Sequence, residues 1–196
     1  LAVALMLNHK IAGRAAFRSV YFFPAVMSSI TIGLIFNQIY YKVVPAVGKA
    51  LGIALLSHNP LADKLTAMPA ILFINIWQGT AMPIVILLAG MQAISADLYE
   101  AATIDGANSR QTLMRITLPL LKPTLAVVMI FSVRSGLMVF DYIKATTNGG
   151  PGYATMSIAM FIYKHAFTDM RFAYSSAESF LVFVVISVLA LVQLRL

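Results

Sequence analysis

The chain has 196 residues, 60% of them hydrophobic and only 11% charged, with a formal net charge of +7 and a mean hydropathy of +0.86. That composition excludes an ordinary soluble domain. The positive charge reads as loop and headgroup charge, because no basic cluster with interleaved aromatics supports nucleic-acid binding. Cysteine is absent, which excludes disulfides and thiolate metal sites and leaves the redox compartment open.

Apolar runs of about 20 residues recur, the length that crosses a hydrocarbon core of about 30 Å. The chain opens inside such a run, Leu1 to Leu7, with no initiator Met and no charged leader, as expected of a longer protein that has lost its beginning. Residues 1–8 read as the tail of a first helix, and His9, Lys10, Arg14 and Arg18 mark a short basic connection. A second span is predicted from Ser19 to about Tyr41, with Pro24 near its start, where a missing N–H does least harm. Residues 42–66 form a mixed loop, Ala67 to Met91 a third span, and residues 92–122 a polar island. Pro123 is expected to open a fourth span ending near Ile143. A loop at 144–173 holds Asn148-Gly149-Gly150-Pro151-Gly152 and an amphipathic stretch, Thr155 to Phe167. Tyr174 to Leu194 completes the spans. The fold class is therefore an all-α integral membrane protein, a single domain over 1–196.

Tyr40, Tyr41, Tyr142, Tyr163 and Tyr174 fall near segment ends, as interface anchors do. Loop charges decide orientation only weakly. Lys10, Arg14, Arg18, Arg110, Arg115, Lys122 and Arg195 collect on one side, against Lys42, Lys49, Lys64, Lys144, Lys164 and Arg171 on the other. The density of basic residues in 9–18 favours the first side as cytoplasmic. The island at 92–122 falls on that side by alternation.

Nothing in a membrane protein requires such an island unless something in the water docks on it. Ser95 suits a helix cap, with Asp97 and Glu100 near the positive end. Gly106 allows a sharp turn, and Asn108 or Ser109 suits the cap of a second short helix running through Ile116. Pro119 and Pro123 are expected to stop that helix. An ordinary solvated loop is the alternative on charge pattern alone.

Glu100-Ala101-Ala102, three residues, Gly106, nine residues, then Ile116-Thr117-Leu118-Pro119 resembles the EAA loop of binding-protein-dependent ABC importer permeases. Phe22-Phe23-Pro24, Leu87-Leu88-Ala89-Gly90-Met91-Gln92, Phe140-Asp141, Thr147, Gly149 to Gly152, Tyr163 and Ala166-Phe167 are similar to the carbohydrate-uptake, maltose-type branch. The resemblance implies a type I importer transmembrane domain of about six spans when complete, in a prokaryotic inner membrane. It implies a second permease subunit, two cytoplasmic ATPase subunits and an extracytoplasmic binding protein that delivers a sugar. It also implies that Glu100, Ala101, Ala102, Asp105, Gly106, Arg110, Ile116, Leu118 and Pro119 couple to the ATPase, with Glu100 meeting basic residues there and Gly106 making the bend. ATP and magnesium would sit on the partner, and no cofactor is expected on this chain. The residues agree: there is no Gly-x4-Gly-Lys-Ser/Thr phosphate loop, and Gly48-Lys49-Ala50 lacks its earlier Gly and its hydroxyl.

Helical spacing suggests a path. Asn75, Gln78, Gly79 and Met82 share one face of the third span, and Ser132, Ser135, Gly136 and Val139 repeat the same offsets on the fourth. Amides at membrane depth favour protein partners or a wet cavity, although Gly and Ser also serve close helix packing. Trp77 would offer an apolar platform to a sugar ring. The resemblance places substrate between the helices flanking the EAA loop and matches Asn75, Gly79 and Ser132 in residue type. Ser135, Gly136, Val139 and Met82 replace larger or more polar residues, so the sugar's identity does not carry over. Arg134, a cation within a span, is expected to pair with a carboxylate of the second permease or with Glu178, or to line the aqueous path, with gating or subunit contact favoured over direct ligand binding. An ion-gradient transporter using Arg134, Asp141 and Glu178 as a charge relay is the alternative, as is a permease for a non-sugar solute such as glycerol phosphate. His9, His58 and His165 lie too far apart in sequence for a metal site, and no catalytic set appears in the spans.

Overall fold

The structure is a computed structural model describing residues 1–8 and 22–195, so the basic connection at 9–18 and the start of the predicted second span lie outside the described residues. Every regular element among the described residues is helical. In chain order they are α1 (Ala2–Asn8), α2 (22–26), α3 (Ser29–Gln38), α4 (Val44–Ala50), α5 (Ala67–Gly79), α6 (Ala81–Gln92), α7 (Ala96–Ile104), α8 (Ser109–Thr112), α9 (Leu118–Leu137), α10 (Asp141–Thr146), α11 (Ile158–Tyr163) and α12 (Phe172–Arg195). Four helical stretches, two of them joining helices across a short break, are long and apolar enough to cross a membrane: Ser29–Ala50, Ala67–Gln92, Ser109–Thr146 and Phe172–Gln193.

Two of these differ from their predicted bounds, and the same device explains both. α3 passes into α4 through a π-helical turn, Ile39–Val43, and α8 passes into α9 through another, Leu113–Thr117. Each is followed two residues later by a proline, Pro45 and Pro119. A proline donates no hydrogen bond to the carbonyl four residues back, and its ring crowds that carbonyl. Opening the preceding turn to bonds five residues long, as from Val44 N–H to Ile39 O and Leu118 N–H to Leu113 O, shifts the crowded carbonyl away. The helices therefore run on where a proline reads as a stop. The second span lies at Ser29–Ala50 rather than ending near Tyr41, because Pro24 belongs to the separate turn α2, which Met27 and Ser28 divide from α3. Likewise the helix after the island continues through Pro119 and Pro123 instead of halting there.

α9 ends at Leu137, short of the predicted Ile143. Met138 to Phe140 break the helix, and α10 then packs against α3 and α5. The Ser157 hydroxyl donates to the freed Val139 carbonyl and accepts from Met160 N–H to cap α11. Asn37 Nδ2 donates to Thr146 O at the end of α10, 2.7 Å away. Close approach is paid for in side-chain size: a Cβ on Gly33 would lie 2.7 Å from the Cβ of Ala145. The third span keeps its predicted start and ends at Gln92, interrupted only at Thr80 between α5 and α6.

The core falls into two clusters. Ile32, Ile71, Ile74, Tyr142 and Ile143 join α3, α5 and α10. Ala4, Ile84, Leu87, Leu88, Met91 and Leu121 join α1, α6 and α9. Tyr40 and Tyr142, expected as interface anchors, are buried instead: Tyr40 Oη donates to Ala70 O at 3.0 Å, linking the first π turn to α5. On α12, Phe180, Leu181, Phe183 and Leu191 are exposed, an apolar surface of the kind that suits lipid.

Candidate functional site

The island folds as a capped helical hairpin. Ser95 Oγ accepts from Asp97 N–H to start α7. Gly106, at φ +72°, adopts the left-handed conformation that closes it. Ala107 N–H donates to Ala102 O at 2.9 Å and Gly106 N–H to Thr103 O at 3.1 Å, the paired bonds of a Schellman motif. Of the two caps the sequence allowed, Asn108 is used, in a reciprocal capping box with Gln111. Tyr99 and Thr117 hydroxyls meet at 3.2 Å and fasten α7 to the second π turn, a contact the spacing gave no sign of.

Between the arms lies a groove of mixed polar and apolar lining, about 420 Å³, whose walls include Ala101, Ala102, Asp105, Gly106, Arg115 and Ile116. Glu100 and Arg110 are exposed beside it, and Ile104 at the tip is 87% exposed. Leu118 and Pro119 lie beyond the groove, where the π turn meets α9. This arm of the hairpin runs through the π turn into α9, Leu118–Leu137, with no loop between them.

A second cavity, about 580 Å³, lies between the stretches Ala67–Gln92 and Ser109–Thr146. Asn75, Gly79, Met82, Ser132, Arg134 and Ser135 all line it, joined by Thr80 and Phe131, which helical spacing had not singled out. A Cβ added to Gly79 or Gly136 would meet nothing within 4 Å among the described residues, so no described helix packs closely on either glycine.

The remaining path candidates point elsewhere. Gln78 is buried against the core: Nε2 donates to Pro24 O at 3.0 Å and Met27 O at 2.8 Å, while Oε1 accepts from Tyr142 Oη at 2.6 Å. Its amide is consumed in holding α2, α5 and α10 together, so it is a tie between elements rather than a wall of the cavity. Trp77 stacks obliquely on Phe36, ring centroids 5.4 Å apart, and is absent from the wall, as is Gly136. Val139 sits in the core at the break after α9. Arg134 does not pair with Glu178, whose two oxygens lie 3.0 and 2.9 Å from His165 Nδ1. His165 thus has a partner that the sequence spacing hid, though the described residues hold no cluster suited to a metal ion.

All of residues 1–196 match the family described as binding-protein-dependent transport system inner membrane component. The chain belongs to that family. Among relatives of this transport component, the multiple sugar-binding transport system permease protein MsmF of Streptococcus mutans is 41% identical over the whole chain and 68% of its own length. The trehalose/maltose transport system permease protein MalF of Thermococcus litoralis is 37% identical over the whole chain and 66% of its own length. A bacterial ABC transporter involved in import of the acidic polysaccharide alginate shares 26% identity and superposes with a TM-score of 0.84, covering 98% of this chain and 68% of that one. A structure of the alginate transporter with its pentasaccharide-bound periplasmic protein gives a TM-score of 0.85. The chain spans about two thirds of the length of these inner-membrane components.

Proposed function

We propose that the chain is a membrane-spanning permease subunit of an ATP-driven importer, in the inner membrane of a prokaryote, that passes a sugar or oligosaccharide. The observation that carries this is the continuity between the capped hairpin and the cavity: one helix runs from the Asn108 cap through the second π turn to Ser132, Arg134 and Ser135 on the cavity wall. A cytoplasmic ATPase seated on the groove around Asp105, Gly106 and Arg115 would move that wall directly. Glu100, Ala101, Ala102, Arg110, Ile116, Leu118 and Pro119 complete the docking arms or their junction with the membrane. An extracytoplasmic binding protein would deliver substrate on the opposite side, and a second permease subunit would close the cavity.

Sugar as cargo is supported by the names of the relatives and by the wall itself. Asn75, Thr80, Ser132 and Ser135 offer donors and acceptors to hydroxyls, while Gly79 leaves room. Those names run from trehalose/maltose to an acidic polysaccharide, so family membership leaves the charge of the cargo open. Energy comes from the ATPase, and this chain supplies the moving wall.

Co-expression with neighbouring ATPase and binding-protein genes, followed by purification and uptake in proteoliposomes, tests the reading. Co-purification of the ATPase with uptake that requires ATP and binding protein is the expected outcome. Uptake driven by an ion gradient without an ATPase overturns it.

A further inference from the structure

Among the described residues, Arg134 is the one charged side chain on the wall of the 580 Å³ cavity, and no carboxylate shares that wall. Among the described residues it takes part in neither ion pair: these are Lys164 with Asp169 and His165 with Glu178. A guanidinium keeps its charge at any relevant pH and presents five donors in a planar fork. Charged groups within a membrane span are expensive unless they face a partner or a wet cavity on a solute route. Around Arg134 stand the neutral polar groups Asn75, Ser132 and Ser135. Ser132 Oγ already donates to Val128 O, 2.8 Å away, so its lone pairs face the cavity as acceptors, and the cation is left to receive negative charge.

We propose that this cavity selects an acidic sugar, whose carboxylate or phosphate is received by Arg134 while its hydroxyls meet Asn75, Ser132 and Ser135. The proposal rests on the sugar-permease reading and adds the charge of the cargo to it. The physical reason for selection is differential. A neutral sugar entering the cavity displaces water from the guanidinium and returns only dipoles. An anion returns a charge-assisted, two-pronged bond of the kind Arg forms with carboxylate and phosphate.

The test is equilibrium binding to the complete complex, with partner permease and ATPases, in lipid nanodiscs and without binding protein, so that the permease alone sorts the probes. The probes are digalacturonate, trehalose 6-phosphate and maltose. At least one acidic probe is expected to bind about tenfold or more tightly than maltose, with R134Q abolishing that preference and R134K retaining part of it. Which acidic probe wins distinguishes carboxylate from phosphate. Equal binding of acidic and neutral probes, a preference for maltose, no binding of either acidic probe, or equal weakening of all three by R134Q overturns the proposal. So does loss of the partner permease from R134Q but not R134K preparations, which would make Arg134 a subunit contact. N75L and S132L separate the two readings. If they weaken maltose binding while R134Q changes no preference, the path stands and the charge selection fails. If they leave all three probes unaffected, the path itself fails.

Discussion

Tyr142 donates its phenolic hydrogen to Gln78 Oε1 across 2.6 Å, joining residues 64 positions apart in the chain. The same amide donates through Nε2 to the carbonyls of Pro24 and Met27. One side chain therefore satisfies the loose ends left by the interrupted second span and anchors the helix that follows the break after Leu137.

Gln78→Leu should destabilise the protein strongly, because it strands the Tyr142 hydroxyl and the Met27 carbonyl, while Pro24 O keeps its bond from Met27 N–H. Each unsatisfied buried group costs about 1–3 kcal/mol. Tyr142→Phe, which removes one bond and leaves the two carbonyl contacts, should lose about 1 kcal/mol. Thermal unfolding in detergent measures both, and a Gln78→Leu protein that melts normally while failing in uptake would assign Gln78 to the path instead.

Gly106 separates two effects. A Cβ there meets nothing within 4 Å, so Gly106→Ala carries only the left-handed backbone penalty of about 1–2 kcal/mol and should retain most coupled uptake. Gly106→Pro cannot adopt φ +72° and would open the Schellman turn, uncoupling ATP hydrolysis from uptake. The ratio of solute moved to ATP hydrolysed, measured in proteoliposomes, reports the difference.

Gly79 faces open space in the cavity. Gly79→Val should leave the melting temperature within a few degrees of the parent, since no packing contact is lost, yet lower uptake several-fold by narrowing the route. An unchanged uptake rate would remove Gly79 from the path.

Gly90 is its opposite. A Cβ there would lie 2.6 Å from Thr124 Oγ1 and 3.0 Å from Leu121 Cδ2, where α6 crosses α9. Gly90→Ala should cost about 1–3 kcal/mol through overpacking, and Thr124→Ala in the same chain should restore part of it by removing the nearer atoms. Melting temperatures of the two single variants and the double variant measure the coupling.

On the outer loops, Lys164 Nζ lies 2.8 Å from Asp169 Oδ2. Its hydrogen bond from Lys164 holds the Asp169 carboxyl below the usual carboxylate range, and the reciprocal bond raises Lys164. A lowered acid contributes stability that is present above its unfolded pKa and lost as pH falls through the folded one. A raised lysine contributes stability present below its unfolded pKa and lost as pH rises through the folded one. The pair's contribution should therefore be flat from roughly pH 5 to 9 and small throughout, since both side chains are exposed. Melting curves of Asp169→Asn should differ from the parent by little at neutral pH and converge with it in acid.

Much of the hairpin was legible because capping and turn chemistry are local. Ser95, Gly106 and Asn108 act within a few residues of themselves, and the structure uses each in the role its spacing suggested, with Gln111 completing the Asn108 cap. Asn75, Gly79, Met82, Ser132 and Ser135 likewise share a wall, since helical periodicity decides which residues lie on one face. Gln78 and Val139, at the same offsets, turn into the core instead. A face about two turns long has edges, and a residue at an edge turns to whichever neighbour offers partners.

What the sequence determined by itself was therefore the class of molecule, the existence of its spans and the local chemistry of the capped hairpin, because hydropathy, caps and a left-handed glycine depend on neighbours along the chain. Only the tertiary structure decided that Gln78 binds Tyr142, that Glu178 answers His165 and leaves Arg134 to the cavity, and that π turns carry two helices past Pro45 and Pro119. Those outcomes depend on groups brought together across the fold, each buried donor or charge taking the partner that packing places nearest.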